Sequence, residues 1–529
     1  MCGIAVAIDW QDAERSVNQL IAGILHRGDV TDPLVSISPT TAFRTRRLRI
    51  VDVDRAVQPQ LSSDGRILVA FNGEIYNHAI LRQELMTLGA TFKTASDTEV
   101  LANALQFWGG AALPRLRGMY AFVAFDLRAN QFVAARDPLG EKPLYVVQSE
   151  TGFLFCSEIR PLLETTEMGD VLLLPPGHVL TRNYCKPFVA LPTLPEAPAL
   201  CSSPRELDGL LSAAVHSCVP PGLPFAILFS GGIDSTLIAH YARQVRPDAP
   251  GYFLGSERAP DFPYAARYAE TTGFDLRIVP FDGSSAATFA STDEVIRTVE
   301  SFEPSVVRPS VCYHALANAV HRDGHRVALV GEGADELYCG YVPLELIFAE
   351  GLSVGAPVRD QCVSMLHRSA LQRTDRCTMQ FQLEARAPFL DRAIVEHAYG
   401  LSSAALVGPI KASPRGKQPL RELYNLYPDA LPAEIGERRK IPLNEGSGLD
   451  SSQNNSHMKR FFEETISDAE YKYGRHIYRD YKLESKEEYC YINKLAQFMN
   501  ISRVPHLKSR LDLAVPMIDR SDALKEYMV

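Results

Sequence analysis

At 529 residues the chain is too long for a single hydrophobic core, so two or more domains are expected. Its 46% hydrophobic and 22% charged residues are ordinary for a globular protein, and a formal net charge of -9 excludes the basic face that a nucleic-acid partner requires. No run is long enough to span a membrane, no charged segment precedes an apolar one at the N-terminus, and ten cysteines without CxxC pairs read as reduced thiols of a cytoplasmic protein.

The chain begins MCGIAVAID. Removal of Met1 leaves Cys2 with a free α-amine in front of a short apolar strand. Such a thiol carries its own base, because an amine of reference pKa about 7.7–8.0 accepts the thiol proton near neutrality. A buried cysteine in second place is also commonplace, so the neighbouring motifs decide. LHRGD (Leu25 to Asp29), RTRRLRIVD (Arg44 to Asp52), FNGEIYNH (Phe71 to His78) and SDTE (Ser96 to Glu99) follow at intervals between strand-like runs. Asn72-Gly73, placed after the strand ILVAF, offers a side-chain amide and a backbone N–H, the components of an oxyanion hole. Arg47 can clamp a carboxylate with its planar fork, while Glu74 and Asp97 can hold an ammonium. Singly, an NG marks a hairpin turn and charged residues mark solvated surface. Together they describe glutamine hydrolysis: amino acid in, acyl-thioester formed, ammonia out.

These motifs resemble the N-terminal-nucleophile glutaminase domain of glutamine-dependent asparagine synthetases. The likeness is carried by Cys2-Gly3-Ile4, His26-Arg27-Gly28, Arg47-Leu48, Asn72 to Asn77, Ser96 to Glu99 and Arg136 to Gly140, and continues through Lys142 to Tyr145 and Cys156 to Ile159. It implies an αββα sandwich in which Cys2 attacks the amide, Asn72 and Gly73 bind the oxyanion, and Arg47, Glu74 and Asp97 grip glutamine. The family reads HRGPD where this chain reads HRGDV, so the loop after Gly28 is expected to close differently over glutamine.

Between Lys186 and Pro204 the segment KPFVALPTLPEAPALCSSP holds five prolines, a density that favours extended chain and reads as a linker. The expected division is therefore 1–186 glutaminase, 187–204 linker and 205–529 synthetase.

Beyond Arg205, amphipathic helices alternate with the short apolar strands FAILF, GYFL, LRIVPF and RVALV, the pattern of a doubly wound parallel α/β sheet. Ligands of such sheets lie at the carboxyl ends of the strands. SGGIDS (Ser230 to Ser235) follows one strand and GEGADE (Gly331 to Glu336) another. Gly231 and Gly232 remove the Cβ atoms that keep backbone from a ligand, and consecutive N–H groups at a helix N-terminus suit phosphate oxygens. Each motif alone also fits an ordinary turn before a helix. In one crevice, Asp234 and Asp335 become a reasonable Mg²⁺ pair facing a triphosphate. No GxxxxGKS or GxxxxGKT loop occurs, so this is not a Walker site.

The second half also resembles the asparagine synthetases and the wider ATP pyrophosphatases. SGGIDS is similar to their pyrophosphate loop, and VGEGADELYCGY to SGEGADELFGGY. Leu383 to Asp391, Lys417 with Leu420 to Glu422, RRKIPLNEGSG and Ser485 to Glu487 match segments that close the site. By resemblance, Ser230, Gly231, Gly232, Ser235, Gly331 and Gly333 cradle ATP and pyrophosphate, and Asp234 and Asp335 hold Mg²⁺. Glu332 is a polar group at the reacting carbonyl and a base for the incoming ammonium, and Lys417 is the cation for the departing phosphates or the tetrahedral centre. Adenylation makes a poor electrophile reactive, with ATP cut between its α and β phosphates.

The acceptor segment ESFEPSVVRPS (Glu300 to Ser310) resembles the family's ETYDVTTIRAS, with Ser305 in place of a threonine hydroxyl and Arg308 retained. Val306 and Pro309 remove a hydroxyl and stiffen the turn. A retained arginine fits an acceptor with its own carboxylate, which favours aspartate; a different carboxylate is the alternative. A β-lactam-synthetase-like cyclase is a further alternative, against which Cys2 and Glu332 count, and a degenerate homologue another, against which Cys2, Asp97, Asp234, Asp335 and Lys417 count. A homodimer is the expectation for enzymes of this kind.

Overall fold

The computed structural model describes residues 2–193, 198–199, 202–283, 286–408, 415–449 and 457–509. Strand β1 (Cys2–Ile8) is buried along its whole length, as an apolar run without alternation requires. It lies inside a seven-stranded sheet, antiparallel to Phe153–Cys156 on one side and to β2 (Thr41–Arg47) on the other. A second sheet of six strands is built around β3 (Ile67–Ile75) and β4 (Gly118–Asp126), antiparallel from Ile67 opposite Asp126 to Ile75 opposite Gly118.

Period-two alternation decides what each sheet face meets. Ile4, Val6 and Ile8 of β1 join Leu68, Ala70, Ala121, Val123 and Phe125 in one core between the sheets. Ala5 and Ala7 point the other way, toward Val17 and Leu20 of α1 (Ala13–Gly23). Val69 and Phe71 meet Val100, Leu101 and Ala104 of α2 (Asp97–Trp108), whose first turn is capped by Ser96 accepting from the Glu99 N–H.

Asn72 and Gly73 were expected after the strand ILVAF; they lie within β3, opposite Ala121 and Tyr120. Gly73 makes this feasible. Its φ is 152°, and a Cβ there would stand 2.1 Å from the Met119 carbonyl oxygen, so only glycine lets β4 approach.

The second half carries a five-stranded sheet: β5 (Ala226–Leu228), β6 (Gly251–Leu254), β7 (Leu276–Val279), β8 (Val327–Leu329) and β9 (Glu384–Arg386). Every neighbouring pair is parallel, and the order is β7-β6-β5-β8-β9. The chain winds one way from β5 to β7 and the other way through β8 and β9. The reversal opens a crevice beyond the carboxyl ends of β5 and β8.

The proline-rich stretch is partly built into the fold. Cys185–Pro187 pairs with His178–Leu180 at the edge of the second sheet, Phe188 packs on the core beneath it, and the Ala199 N–H donates to Gly400 O. Residues 194–197, 200 and 201 of that stretch lie outside the described residues.

Candidate functional site

Two clusters of polar side chains form where the sequence motifs meet. At the first, Cys2 is paired with Arg47 across β1 and β2. Its N–H donates to Asn72 Oδ1 at 2.8 Å, and Gln58 Nε2 lies 3.7 Å from its Sγ. The other end of the Asn72 amide, Nδ2, is buried without a hydrogen-bond partner among the described residues. An unsatisfied buried donor is costly to keep, and here it belongs to the amide whose oxygen takes the Cys2 N–H. Burial pushes that thiol up to about 11, outweighing the opposing pull of the amino-terminal charge, so at neutrality it needs a base to act as a nucleophile.

The charged residues around the thiol are already engaged. Arg47 Nε donates to both oxygens of Asp32, at 3.2 and 3.0 Å. Asp97 Oδ2 accepts the Ile75 N–H at 3.0 Å. Glu74 Oε2 accepts from Arg386 Nη2 at 2.9 Å, and Arg386 Nε donates to Glu384 at 2.7 Å. Burial raises Glu74 to about 7 against the lowering influence of Arg386, and raises Asp97 to about 6 against its backbone hydrogen bonds. Asp29, in the position where the family has proline, pairs with Arg49 at 2.9 Å and with Arg326 of the second half at 3.1 Å. The HRGDV loop is thereby tied to the parallel-sheet half.

At the second cluster, SGGIDS turns sharply out of β5 into α3 (Ile233–Val245). Gly231 has φ 67°, and a Cβ would stand 2.5 Å from the Ala265 nitrogen. The Ser235 hydroxyl accepts from the Ser230 N–H at 3.2 Å and donates to Gly232 O at 3.3 Å, pinning the loop. Gly331 brings the neighbouring loop against it, with its virtual Cβ 3.1 Å from Asp234 Cβ. Gly333 has φ 92° and lies under Leu390.

Lys417 Nζ bridges the two loops, 2.6 Å from Asp234 Oδ2 and 2.6 Å from Asp335 Oδ1. Its backbone is left-handed, at φ 62°, a strain that recurs at functional positions. Lys440 Nζ lies 2.7 Å from Asp335 Oδ2. Burial raises the Asp335 carboxyl, but Lys417 and Lys440 outweigh it and hold it at about 2. Glu332 Oε1 accepts from the Tyr313 hydroxyl, from Arg373 Nη2 at 2.9 Å and from Thr374 Oγ1 at 3.3 Å.

The acceptor segment departs from expectation. It is the start of helix α4 (Pro304–Arg322), with Pro309 inside it, and is not a turn. Ser305 is exposed on its first turn. Arg308 forks onto Glu487 of a C-terminal helix, with Nε 2.8 Å from Oε1, and Tyr491 donates to the same carboxylate at 2.8 Å.

Gln58, Asp32, Tyr313, Arg373 and Lys440 were not singled out from the sequence. Lys440 alone left a trace, as the last cation of the RRK run. By resemblance LEARAPFLD closes the crevice at the parallel sheet, yet its Arg386 turns to Glu74.

A buried cysteine cluster in the antiparallel half thus stands in one chain with a glycine-loop and lysine–aspartate cluster at the parallel sheet. Residues 1–173 match the family described as glutamine amidotransferase domain, and residues 206–348 and 361–508 match asparagine synthase. The chain belongs to the glutamine-hydrolysing asparagine synthetase family of ligases. It is 29% identical to glutamine-hydrolysing asparagine synthetase 2 of Arabidopsis thaliana, covering 93% of this chain and 86% of that one. It is 30% identical to glutamine-hydrolysing asparagine synthetase 1 of Saccharomyces cerevisiae, covering 85% of each. A solved chain described as the allosteric regulatory enzyme of purine biosynthesis aligns at 17% identity and a TM-score of 0.32, over 52% of this chain and 65% of that one. No described helix is long and apolar enough to cross a membrane.

Proposed function

We propose that the protein hydrolyses glutamine at Cys2 and passes the ammonia to a carboxylate adenylated with ATP, yielding an amide, AMP and pyrophosphate. Aspartate is the first-choice acceptor. The observation that carries the reading is the buried, unpartnered Nδ2 of Asn72, the residue whose Oδ1 accepts the Cys2 N–H.

In this reading the first 186 residues are an N-terminal-nucleophile αββα sandwich, 187–204 a linker, and 205–529 the synthetase. Once Met1 is removed, the α-amine of Cys2 takes the proton of the buried thiol as Sγ attacks the amide carbon. Asn72 Nδ2 and the Gly73 N–H stabilise the oxyanion. Arg47 receives the glutamine carboxylate, and Asp97 with Glu74 its ammonium. Water then cleaves the thioester and releases glutamate.

Free ammonia is protonated in bulk water, so an enclosed route between the sites is needed. A cavity of about 210 Å³ between the halves supplies a candidate. It is lined by Tyr76 beside the Glu74–Arg386 pair, by Cys218, Ala387 and Pro388, and by Leu390, which touches Gly333.

At the second site Ser230 and the glycines cradle the β and γ phosphates, and Lys417 neutralises pyrophosphate as it leaves. Asp234 and Asp335 are hard oxygen donors from adjacent loops, and Asp234 Oδ1 is buried without a hydrogen-bond partner among the described residues; the pair fits Mg²⁺ together with phosphate oxygens. When bound, Mg²⁺ supplies positive charge to the phosphates. Glu332, held by Arg373 and Tyr313, receives the proton of the attacking nitrogen.

One observation favours a different acceptor: Arg308 is committed to Glu487, so an acceptor carboxylate has to compete for that fork. The test is pyrophosphate release from ATP and glutamine across a panel of carboxylic acids, with glutamate release followed in parallel. Signal with aspartate supports the first reading. Signal with another acid alone replaces the acceptor, and ADP in place of AMP removes the mechanism.

A further inference from the structure

Helix α5 (Ala370–Met379) directs four consecutive side chains to both halves of the molecule. Arg373 and Thr374 hold Glu332, as described above. Asp375 turns to the first half, where its Oδ2 accepts from Arg27 Nη1 at 2.9 Å and its Oδ1 from Arg27 Nη2 at 3.1 Å. Arg376 follows, with Nη1 2.8 Å from Glu158 Oε1 and Nη2 2.7 Å from Glu300 Oε2. Arg27 completes the circuit: Nη1 also donates to Glu158 at 3.0 Å, and Nε donates to the carbonyl oxygen of Cys2 at 3.3 Å.

The cluster is dry. Arg27 is 0% exposed, Asp375 3% and Arg376 1%. Lys142 Nζ lies 3.9 Å from Asp375. The cations Arg27, Arg376 and Lys142 thus face the carboxylates Asp375, Glu158 and Glu300, with the buried Arg136 also near Asp375. His26 Nε2, 2.9 Å from Glu158, adds a titratable neighbour. A bidentate carboxylate fixes both the position and the plane of a guanidinium. Here the guanidinium that Asp375 fixes is the one touching the backbone of the nucleophile. Cys2 is therefore held at its N–H by Asn72 of its own half and at its carbonyl by Arg27, which a residue of the other half orients.

We propose that Asp375 is a positioning residue for glutamine hydrolysis. By orienting Arg27 it sets the placement of the Cys2 Sγ, so the first site is complete only when α5 of the synthetase half is docked against it. The inference rests on the reading of Cys2 as the nucleophile. A misplacement of the order of 1 Å at a reacting atom lowers turnover by up to about 100-fold while substrate binding elsewhere in the pocket persists.

The test uses the full-length protein, with glutamate release from glutamine and ammonia-driven pyrophosphate release measured side by side. Asp375→Asn is expected to lower kcat for glutamate release about 10- to 100-fold with little change in the glutamine KM. Its ammonia-driven rate is expected to stay near wild type, and Asp375→Glu to recover part of the loss. Arg27→Met is expected to show a similar loss, and adding Asp375→Asn to it a further change of less than about twofold, because two residues acting through one contact are not additive. Wild-type kcat in Asp375→Asn, or losses that multiply in the double variant, overturns the proposal.

If Asp375→Asn does not fold, the paired replacement Arg27→Met with Asp375→Leu removes both charges together and spares the fold an unpaired ion. That variant is expected to melt near wild type with kcat still reduced; wild-type kcat overturns the proposal. Cys2→Ala separates the two readings. Glutamate release that survives it removes the nucleophile assignment itself, whereas its loss, alongside a fully active Asp375→Asn, removes only the role of Asp375.

Discussion

Arg386 donates to Glu74 across 2.9 Å although the two stand 312 positions apart, one in the parallel sheet and one in the strand that carries Asn72. A cation of the synthetase half therefore holds a carboxylate of the proposed glutamine site. The first site is a product of both halves.

Replacing Arg386 by Met leaves Glu74 and Glu384 buried without their shared partner. Removing one member of a buried ion pair costs about 3–5 kcal/mol. The expected outcome is an unfolding free energy lower by about that amount, read as a lower denaturation midpoint, together with a raised KM for glutamine. An unchanged midpoint would show that water reaches the pair.

The pH profile of glutamine use follows from Glu74 and Asp97, raised to about 7 and about 6 chiefly by burial. Only their ionised forms hold an ammonium. kcat/KM for glutamine is expected to fall at least about tenfold between pH 7.5 and 5.5, in coupled steps. Stability moves the other way. The folded state binds more protons than the unfolded one between the ordinary carboxylate range and pH 7, so these two groups destabilise the substrate-free protein as pH rises through that window. A kcat/KM that stays flat to pH 5.5 would remove both from the ammonium site.

Asn72→Ala deletes the unpartnered amide and the acceptor of the Cys2 N–H together. Loss of one oxyanion donor lowers kcat by about 100- to 1,000-fold. Steady-state glutamate release is expected to show that loss in kcat with a smaller change in KM, and a loss confined to KM would place Asn72 in binding alone.

Lys417→Met strands Asp234 and Asp335 next to each other. Lys440 still pairs with Asp335, so the destabilisation is expected at the low end for a buried pair, about 3 kcal/mol. Asp335, held at about 2 by its two lysines, contributes stability that is present above the ordinary carboxylate range and lost as pH falls toward 2. The variant, in which Lys440 still lowers Asp335, is expected to show a shallower acid-side slope in a pH series of thermal melts. Pyrophosphate release is expected to disappear, and its persistence would take Lys417 out of the phosphate site.

Much of the chemistry was legible along the chain because it is local. Gly231 and Gly333 announce backbone that only glycine adopts readily, and Asp234 and Ser235 open the helix that follows a buried strand. The alternation of helices and apolar strands after Arg205 predicts a parallel sheet, and the β5/β8 reversal then puts both glycine loops in one crevice. Three readings changed for identifiable reasons. Asn72-Gly73 reads as the end of a strand, because nothing local reveals that Gly73 admits β4 so closely that pairing continues. The run around Arg308 reads as a turn because of Pro309, yet packing carries the helix through it. The proline-rich stretch reads as an extended linker from residue 187, and the difference there is one residue of its bounds: Pro187 still pairs with His178 at a sheet edge.

What the sequence determined by itself was the set of candidate groups and much of the backbone that presents them, since a thiol at position 2, an amide next to a glycine and glycine-lined turns depend on residues a few positions apart. What only the tertiary structure decided was the partner of each charge: Glu74 with Arg386, Arg308 with Glu487, Arg27 with Asp375, and Lys417 between two carboxylates. A charged residue in a sequence looks the same whether water or another ion neutralises it. Burial removes the water, and the fold alone dictates which opposite charge arrives in its place.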